Sequence, residues 1–223
     1  MSSSTPFCAY VTIRRTNSMS TKKIYLYPVW IRLWHVINAL MFLLLIISGI
    51  CLHFGAGKII PFNVGVGIHN TAAIIVTLNY GIFLIGNIVT PNGKFYRKWR
   101  KNLVVNLWKQ FVFYAVGIFR KEKHPFPINE TQKFNPLQKF SYVIVMYFGM
   151  PLIIISGFAL MFPSIAGFRV FKVSTVVFYD VLHIVVGFVL SLFLVIHIYT
   201  CTLGDKPGTL FKSMINGYHE EHE

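Results

Sequence analysis

Hydrophobic positions in this chain fall in long blocks instead of recurring at the spacing of an amphipathic helix. Four blocks stand out, roughly Trp30 to Phe54, Val64 to Val89, Phe140 to Phe162 and Val176 to Cys201. A helix of about 20 mostly apolar residues spans the hydrocarbon core of a bilayer, so each block predicts one membrane-spanning helix. Leu103 to Phe119 reads differently: Leu107, Trp108, Phe111, Val112, Tyr114 and Ala115 give a partly helical apolar pattern around Lys109 and Gln110. That pattern predicts a helix lying on the membrane surface, with Pro125, Pro127 and Pro136 punctuating the return to the third span. The expected fold is all-α: an integral membrane four-helix bundle over residues 24–202, with an amphipathic surface helix in the long loop between helices 2 and 3. Residues 1–23 are expected to form a disordered N-terminal tail and residues 203–223 a cytoplasmic C-terminal tail.

Composition agrees, since 55% of residues are hydrophobic and only 13% charged. The formal charge of +14 raises the question of nucleic acid, and its distribution answers it. With the N-terminus in the cytoplasm, the tail and the start of helix 1 hold 5 Lys or Arg, the loop 91–139 holds 11 and the C-terminal tail holds 2. Only Lys58, Arg169 and Lys172 lie in the two opposite loops, so the positive-inside rule places both termini in the cytoplasm and nucleic acid is excluded as a partner. Lys94, Arg97, Lys98, Arg100 and Lys101 would face anionic headgroups, each attracted by about 1 kcal/mol near the surface. Residues 1–23 are too polar for a signal peptide, so the first span is expected to direct insertion, and Met19 reads as a natural start. Cys8, Cys51 and Cys201 form neither a Cys-x-x-Cys-His haem attachment site nor a zinc-spaced cluster, and Cys51 and Cys201 read as small apolar residues near opposite faces.

The first and third spans end in the same pattern, Ile-Ile-Ser-Gly-x-x-Leu-x-Phe, carried by Ile46 to Phe54 and by Ile154 to Phe162. These helices run in the same direction, so the match suggests two hairpins related by internal duplication. Ser-Gly lets a neighbouring helix or a flat macrocycle approach closely; plain helix packing explains it equally well.

Histidines carry the functional argument. Four of the eight, His35, His69, His183 and His197, sit within spanning segments, one or two turns from an end. The order of the helices puts His35 and His197 on the cytoplasmic side and His69 and His183 on the outer side, one pair at each depth. On helix 4 the two histidines are 14 residues apart, nearly four turns, so they project from one face about 21 Å apart. Two imidazoles from facing helices at matching height are what a haem iron in a bundle core requires. A single intramembrane histidine that hydrogen-bonds to a neighbouring helix would need no cofactor, but four in depth-matched pairs point to one. His53 competes with His69, yet lies 18 residues after His35, about 27 Å along the axis and at the headgroup boundary. His124, His219 and His222 read as solvated cytoplasmic residues.

These motifs resemble the di-haem cytochrome b subunits of respiratory oxidoreductases, of the formate dehydrogenase gamma, nickel-iron hydrogenase and thiosulfate reductase type. The resemblance runs from about Tyr27 to Glu221 and rests on Arg32-Leu33-Trp34-His35-Val36-Ile37-Asn38-Ala39, on Ser48-Gly49 followed by His53, on His69, and on the His183 and His197 pair. Tyr114 to Glu122, Lys133 to Lys139 and Lys212 to Gly217 are most similar to the thiosulfate reductase branch. That family often has Trp directly after the first ligand, whereas here Val36 follows and Trp34 precedes. The resemblance implies two haem b groups, a menaquinone or ubiquinone pocket beside the cytoplasmic haem at Asn135, Gln138 and His197, and a multi-pass protein of the bacterial inner membrane. It also implies a periplasmic redox partner: an iron-sulfur or multihaem protein, or a reductase, hydrogenase or dehydrogenase subunit. Asn135 before Pro136 equally suits a helix N-cap. Arg32, one turn before His35, suits a haem propionate or a helix anchor, and Asp180 would lie near the outer haem, where it suits orienting a ligand or meeting a partner's basic residue. Two rivals stand: a self-sufficient superoxide-to-quinone oxidoreductase of the same family, and a haem-free membrane anchor or proton-coupled transporter.

Overall fold

The computed structural model describes residues 22–55, 59–129, 132–170, 173–204 and 208–221. Most of the expected N-terminal tail, Met19 included, lies outside these residues, as do Lys58, Lys172 and His222. Four helices are long and apolar enough to cross a membrane: α1 (Val29–His53), α2 (Phe62–Val89), α4 (Pro136–Met161) and α5 (Thr175–Cys201). Between them α3 (Leu103–Gly117) is the shorter helix expected in the long loop. A last helix, α6 (Thr209–Asn216), follows the bundle.

Each boundary has a local cause. Three spanning helices begin or end within two residues of the apolar blocks, because length and hydropathy alone set them. The fourth, α4, starts four residues before Phe140, at Pro136, because Asn135 and Gln138 form a capping box. Asn135 Oδ1 accepts from the Gln138 N–H at 2.8 Å, and Gln138 Oε1 accepts from the Asn135 N–H at 3.3 Å. Inside α4, Pro151 lacks an N–H to donate, and the turn just before it, Val145–Gly149, widens to π geometry. A carbonyl freed inside lipid needs a donor, and the Tyr80 hydroxyl from α2 supplies one to Met146 O at 2.8 Å.

Helices α1 and α2 pack as one hairpin and α4 and α5 as another, with α2 against α4 joining them. The core at that junction comprises Val76, Tyr80, Phe83, Tyr96, Met146 and Met150. On α1 and α5 most apolar side chains face outward, as suits lipid. Helix α3 follows the same logic: Val104, Val105, Trp108 and Phe111 are exposed while Gln110 and Phe113 are buried. Its apolar side is thus the outer one, as expected of a helix lying in an interface.

The two ends of the described residues meet on one side of the bundle. Strand β1 (Lys22–Tyr25) pairs antiparallel with the C-terminal strand Tyr218–Glu221, so Lys22 and Lys23, assigned from sequence to a tail, begin a strand instead. The Arg32 guanidinium Nη1 donates to Ile215 O, tying α1 to α6. Lys133 is only 2% exposed, with Nζ 3.2 Å from Asn92 Oδ1 and 4.4 Å from the centre of the Tyr27 ring. Burial lowers its ammonium to about 7. Burial likewise pushes the Tyr27 phenol up to about 12, helped by neighbouring Cys201.

Candidate functional site

The four intramembrane histidines come together in two pairs. His35 of α1 and His197 of α5 have ring centres 6.2 Å apart, inclined at 58°. His69 of α2 and His183 of α5 have ring centres 6.2 Å apart, inclined at 68°. The first pair lies at the end of the bundle that carries the chain termini, and the second at the opposite end. His53 stays outside both: it is the last residue of α1, exposed, and packs edge-on against Phe54 at 4.8 Å.

A metal ion between the rings would require a definite spacing. A metal–nitrogen bond of about 2.0 Å and a further ~1.1 Å to the ring centre on each side put the two centres about 6.2 Å apart. Both pairs meet that requirement. Among the described residues no cluster of three or more His, Cys, Asp or Glu gathers, so each pair offers only two protein ligands. Two facing imidazoles suit a metal whose remaining ligands come from a macrocycle, as a haem would supply.

The pair remote from the termini is seated symmetrically. Ser48 Oγ lies 2.9 Å from His69 Nδ1, and Ser156 Oγ lies 3.1 Å from His183 Nδ1. A Cβ added at Gly49 would sit 3.4 Å from His69 Cε1, and one added at Gly157 only 3.1 Å from His183 Cε1, so each imidazole lies against a glycine backbone. The repeated Ile-Ile-Ser-Gly pattern therefore has one structural use in both hairpins: the Ser-Gly of one helix receives the histidine of the next. Asp180 is exposed, and it is Ser156 that meets His183 Nδ1.

The pair near the termini is held more loosely. The His35 ring makes no hydrogen bond to another described residue. His197 Nδ1 is 3.4 Å from the Tyr142 hydroxyl, and Cys201 Sγ is 3.9 Å from His197 Nε2. Cys201, read from sequence as a small apolar residue, thus stands beside an imidazole. Trp34, one residue before His35, locks α1 to α2: its Nε1 donates to Asn79 O and Asn79 Nδ2 donates to Trp34 O, both at 3.0 Å.

Polar groups gather below this pair. Asn135, 3% exposed, is the N-cap of α4, as the alternative reading of its sequence context anticipated, and its Nδ2 also donates to the Tyr114 hydroxyl of α3 at 2.8 Å. Burial raises the Tyr114 phenol. Gln110, one turn earlier on the same helix, is fully buried with neither amide atom partnered among the described residues. Tyr142, Cys201, Tyr114 and Gln110 escaped sequence reasoning; only the buried glutamine in an apolar stretch left a trace there. Arg32, considered for a propionate, spends Nη1 on Ile215 O while its Nε is buried without a partner among the described residues.

The family described as prokaryotic cytochrome b561 matches residues 26–217. The chain is 36% identical over 209 residues to the Escherichia coli (strain K12) protein named "Putative cytochrome YdhU", covering 93% of this chain and 78% of that protein. No solved structure matches it.

Proposed function

Because the chain belongs to the prokaryotic cytochrome b561 family, we propose that it is the di-haem membrane subunit of a respiratory oxidoreductase, passing electrons between the quinone pool and a periplasmic redox partner. As a family member it is a membrane-bound cytochrome b in electron transfer, binding haem b and crossing the bacterial inner membrane several times. The observation that carries the finer reading is one geometry used twice: two histidine pairs with 6.2 Å between ring centres, at opposite ends of one bundle.

In this reading both termini are cytoplasmic, His35 and His197 hold one haem b on that side, and His69 and His183 hold the second on the periplasmic side. Bound haem iron supplies reversible one-electron chemistry. The chain's own residues hold each imidazole at a set separation, with Trp34 and Asn79 bracing the helix that carries His35 and the Ser-Gly seats receiving His69 and His183. Menaquinone or ubiquinone would bind beside His197, where Asn135, Gln138, Tyr114 and Gln110 concentrate hydrogen-bonding groups in otherwise apolar surroundings. The capping box engages Asn135 Oδ1 and Gln138 Oε1, so the amide N–H groups are what a quinone carbonyl would take. The partner would be an iron-sulfur or multihaem protein, or a reductase, hydrogenase or dehydrogenase subunit, docked near the other pair.

The deciding experiment is a reduced-minus-oxidised spectrum of the detergent-purified protein with a pyridine haemochrome count. Two b haems per chain are expected. A single haem in well-folded protein would reject the di-haem assignment.

A further inference from the structure

Ser48 and Ser156 do more than fill space between helices. Each is buried, and each donates its hydroxyl proton to the carbonyl one turn back: Ser48 to Leu44 O at 2.6 Å, Ser156 to Leu152 O at 2.7 Å. A hydroxyl has one proton. With that proton engaged, the oxygen meets the imidazole only as an acceptor, so His69 and His183 must donate from Nδ1. The tautomer that remains keeps Nε2 unprotonated and available to a metal.

We propose that Ser48 and Ser156 are positioning residues that select this tautomer and make the site remote from the termini the lower-potential one of the two. This rests on the di-haem reading above, since it assumes an iron between each pair. A hydrogen bond from Nδ1–H raises the basicity of the opposite nitrogen, and a more basic ligand favours the oxidised metal. The other pair lacks this support: the His35 ring hydrogen-bonds to no described residue, and at His197 Nδ1 there is a hydroxyl only at 3.4 Å, with Cys201 Sγ 3.9 Å from Nε2. It also has Arg32 one turn before His35, and a nearby positive charge favours the reduced metal. Both effects act in the same direction. Electrons arriving at the remote pair then run downhill toward the termini side.

Redox potentiometry on the purified protein, followed at the b-type absorption band, tests this alongside a haem count. The unmodified protein is expected to hold two haems with separate midpoints, and His35→Ala to retain the lower one. Ser48→Ala and Ser156→Ala should each move the lower midpoint upward, leave the upper one in place and alter the low-spin ferric electron paramagnetic resonance signal. Ser48→Thr and Ser156→Thr keep a hydroxyl that can bond the carbonyl one turn back, and should restore the original values. Two haems with both midpoints unmoved in the alanine variants would overturn the positioning role, and retention of the higher midpoint by His35→Ala would overturn the ordering. The serines stand on different hairpins, so if one alanine variant fails to fold the other decides. Absence of haem from well-folded unmodified protein would instead reject the di-haem reading itself.

Discussion

Trp34 and Asn79 bracket one another, each side chain donating at 3.0 Å to the other's backbone carbonyl. The bracket joins α1 to α2 one residue before His35 and so governs how that imidazole is presented. Hydrogen bonds between membrane helices contribute about 0.6 kcal/mol on average and up to roughly 1.7 kcal/mol. Asn79→Leu removes the bond that the Asn79 amide donates, leaves its carbonyl to accept from Trp34, and should therefore cost about 0.6–1.7 kcal/mol and lower thermal stability in detergent. Trp34→Phe removes the other bond and should cost a similar amount; unchanged stability in both variants would show that the bracket contributes nothing.

Haem occupancy should divide by pair. His35→Ala is expected to reduce the haem count from two to one, and His183→Ala to do the same at the other site. An identical residual spectrum and midpoint in both variants would contradict the pairing, because each is predicted to leave a different haem.

Asn135 has a demonstrated capping geometry and a proposed quinone contact, and two substitutions separate them. Asn135→Ala removes the cap and should cost about 1 kcal/mol of stability. Asn135→Asp keeps an acceptor for the Gln138 N–H but loses the amide donors. If the donors serve a quinone, the aspartate variant keeps its melting temperature while quinol reduces its haem more slowly. Unchanged quinol kinetics in Asn135→Asp would leave the residue with its cap and its bond to Tyr114 and no quinone contact.

Lys133 makes stability depend on pH. Burial lowers its ammonium to about 7, from 10.5 in the unfolded chain. Between those values the unfolded chain binds more protons than the folded one, so folding becomes more favourable as pH rises. Below about 7 the ammonium is charged in both states and its desolvation opposes folding in full. Melting temperature in detergent should climb from pH 7 to 9, and Lys133→Met should remove much of that rise. Equal slopes for the two proteins would refute the assignment.

Hydropathy over length, read along the chain, determined the four spans, the surface helix and the depth of each histidine, because these follow from local composition and from a fixed rise per residue. The N-cap at Asn135 was legible for the same reason, standing directly before Pro136, whereas the reciprocal bond from Gln138 came only with the structure. Depth could match His35 with His197 and His69 with His183, but it says nothing of rotation about a helix axis. That is decided by side-chain packing between helices, and only the folded hairpins bring each pair of rings to 6.2 Å. The same holds for Ser48 and Ser156, whose repeat looks identical whether it serves packing or seats an imidazole, until the partner helix is in place. Lys133 beside Asn92 and Tyr114 beside Asn135 join residues 41 and 21 positions apart, contacts that no local pattern encodes and that tertiary structure alone creates.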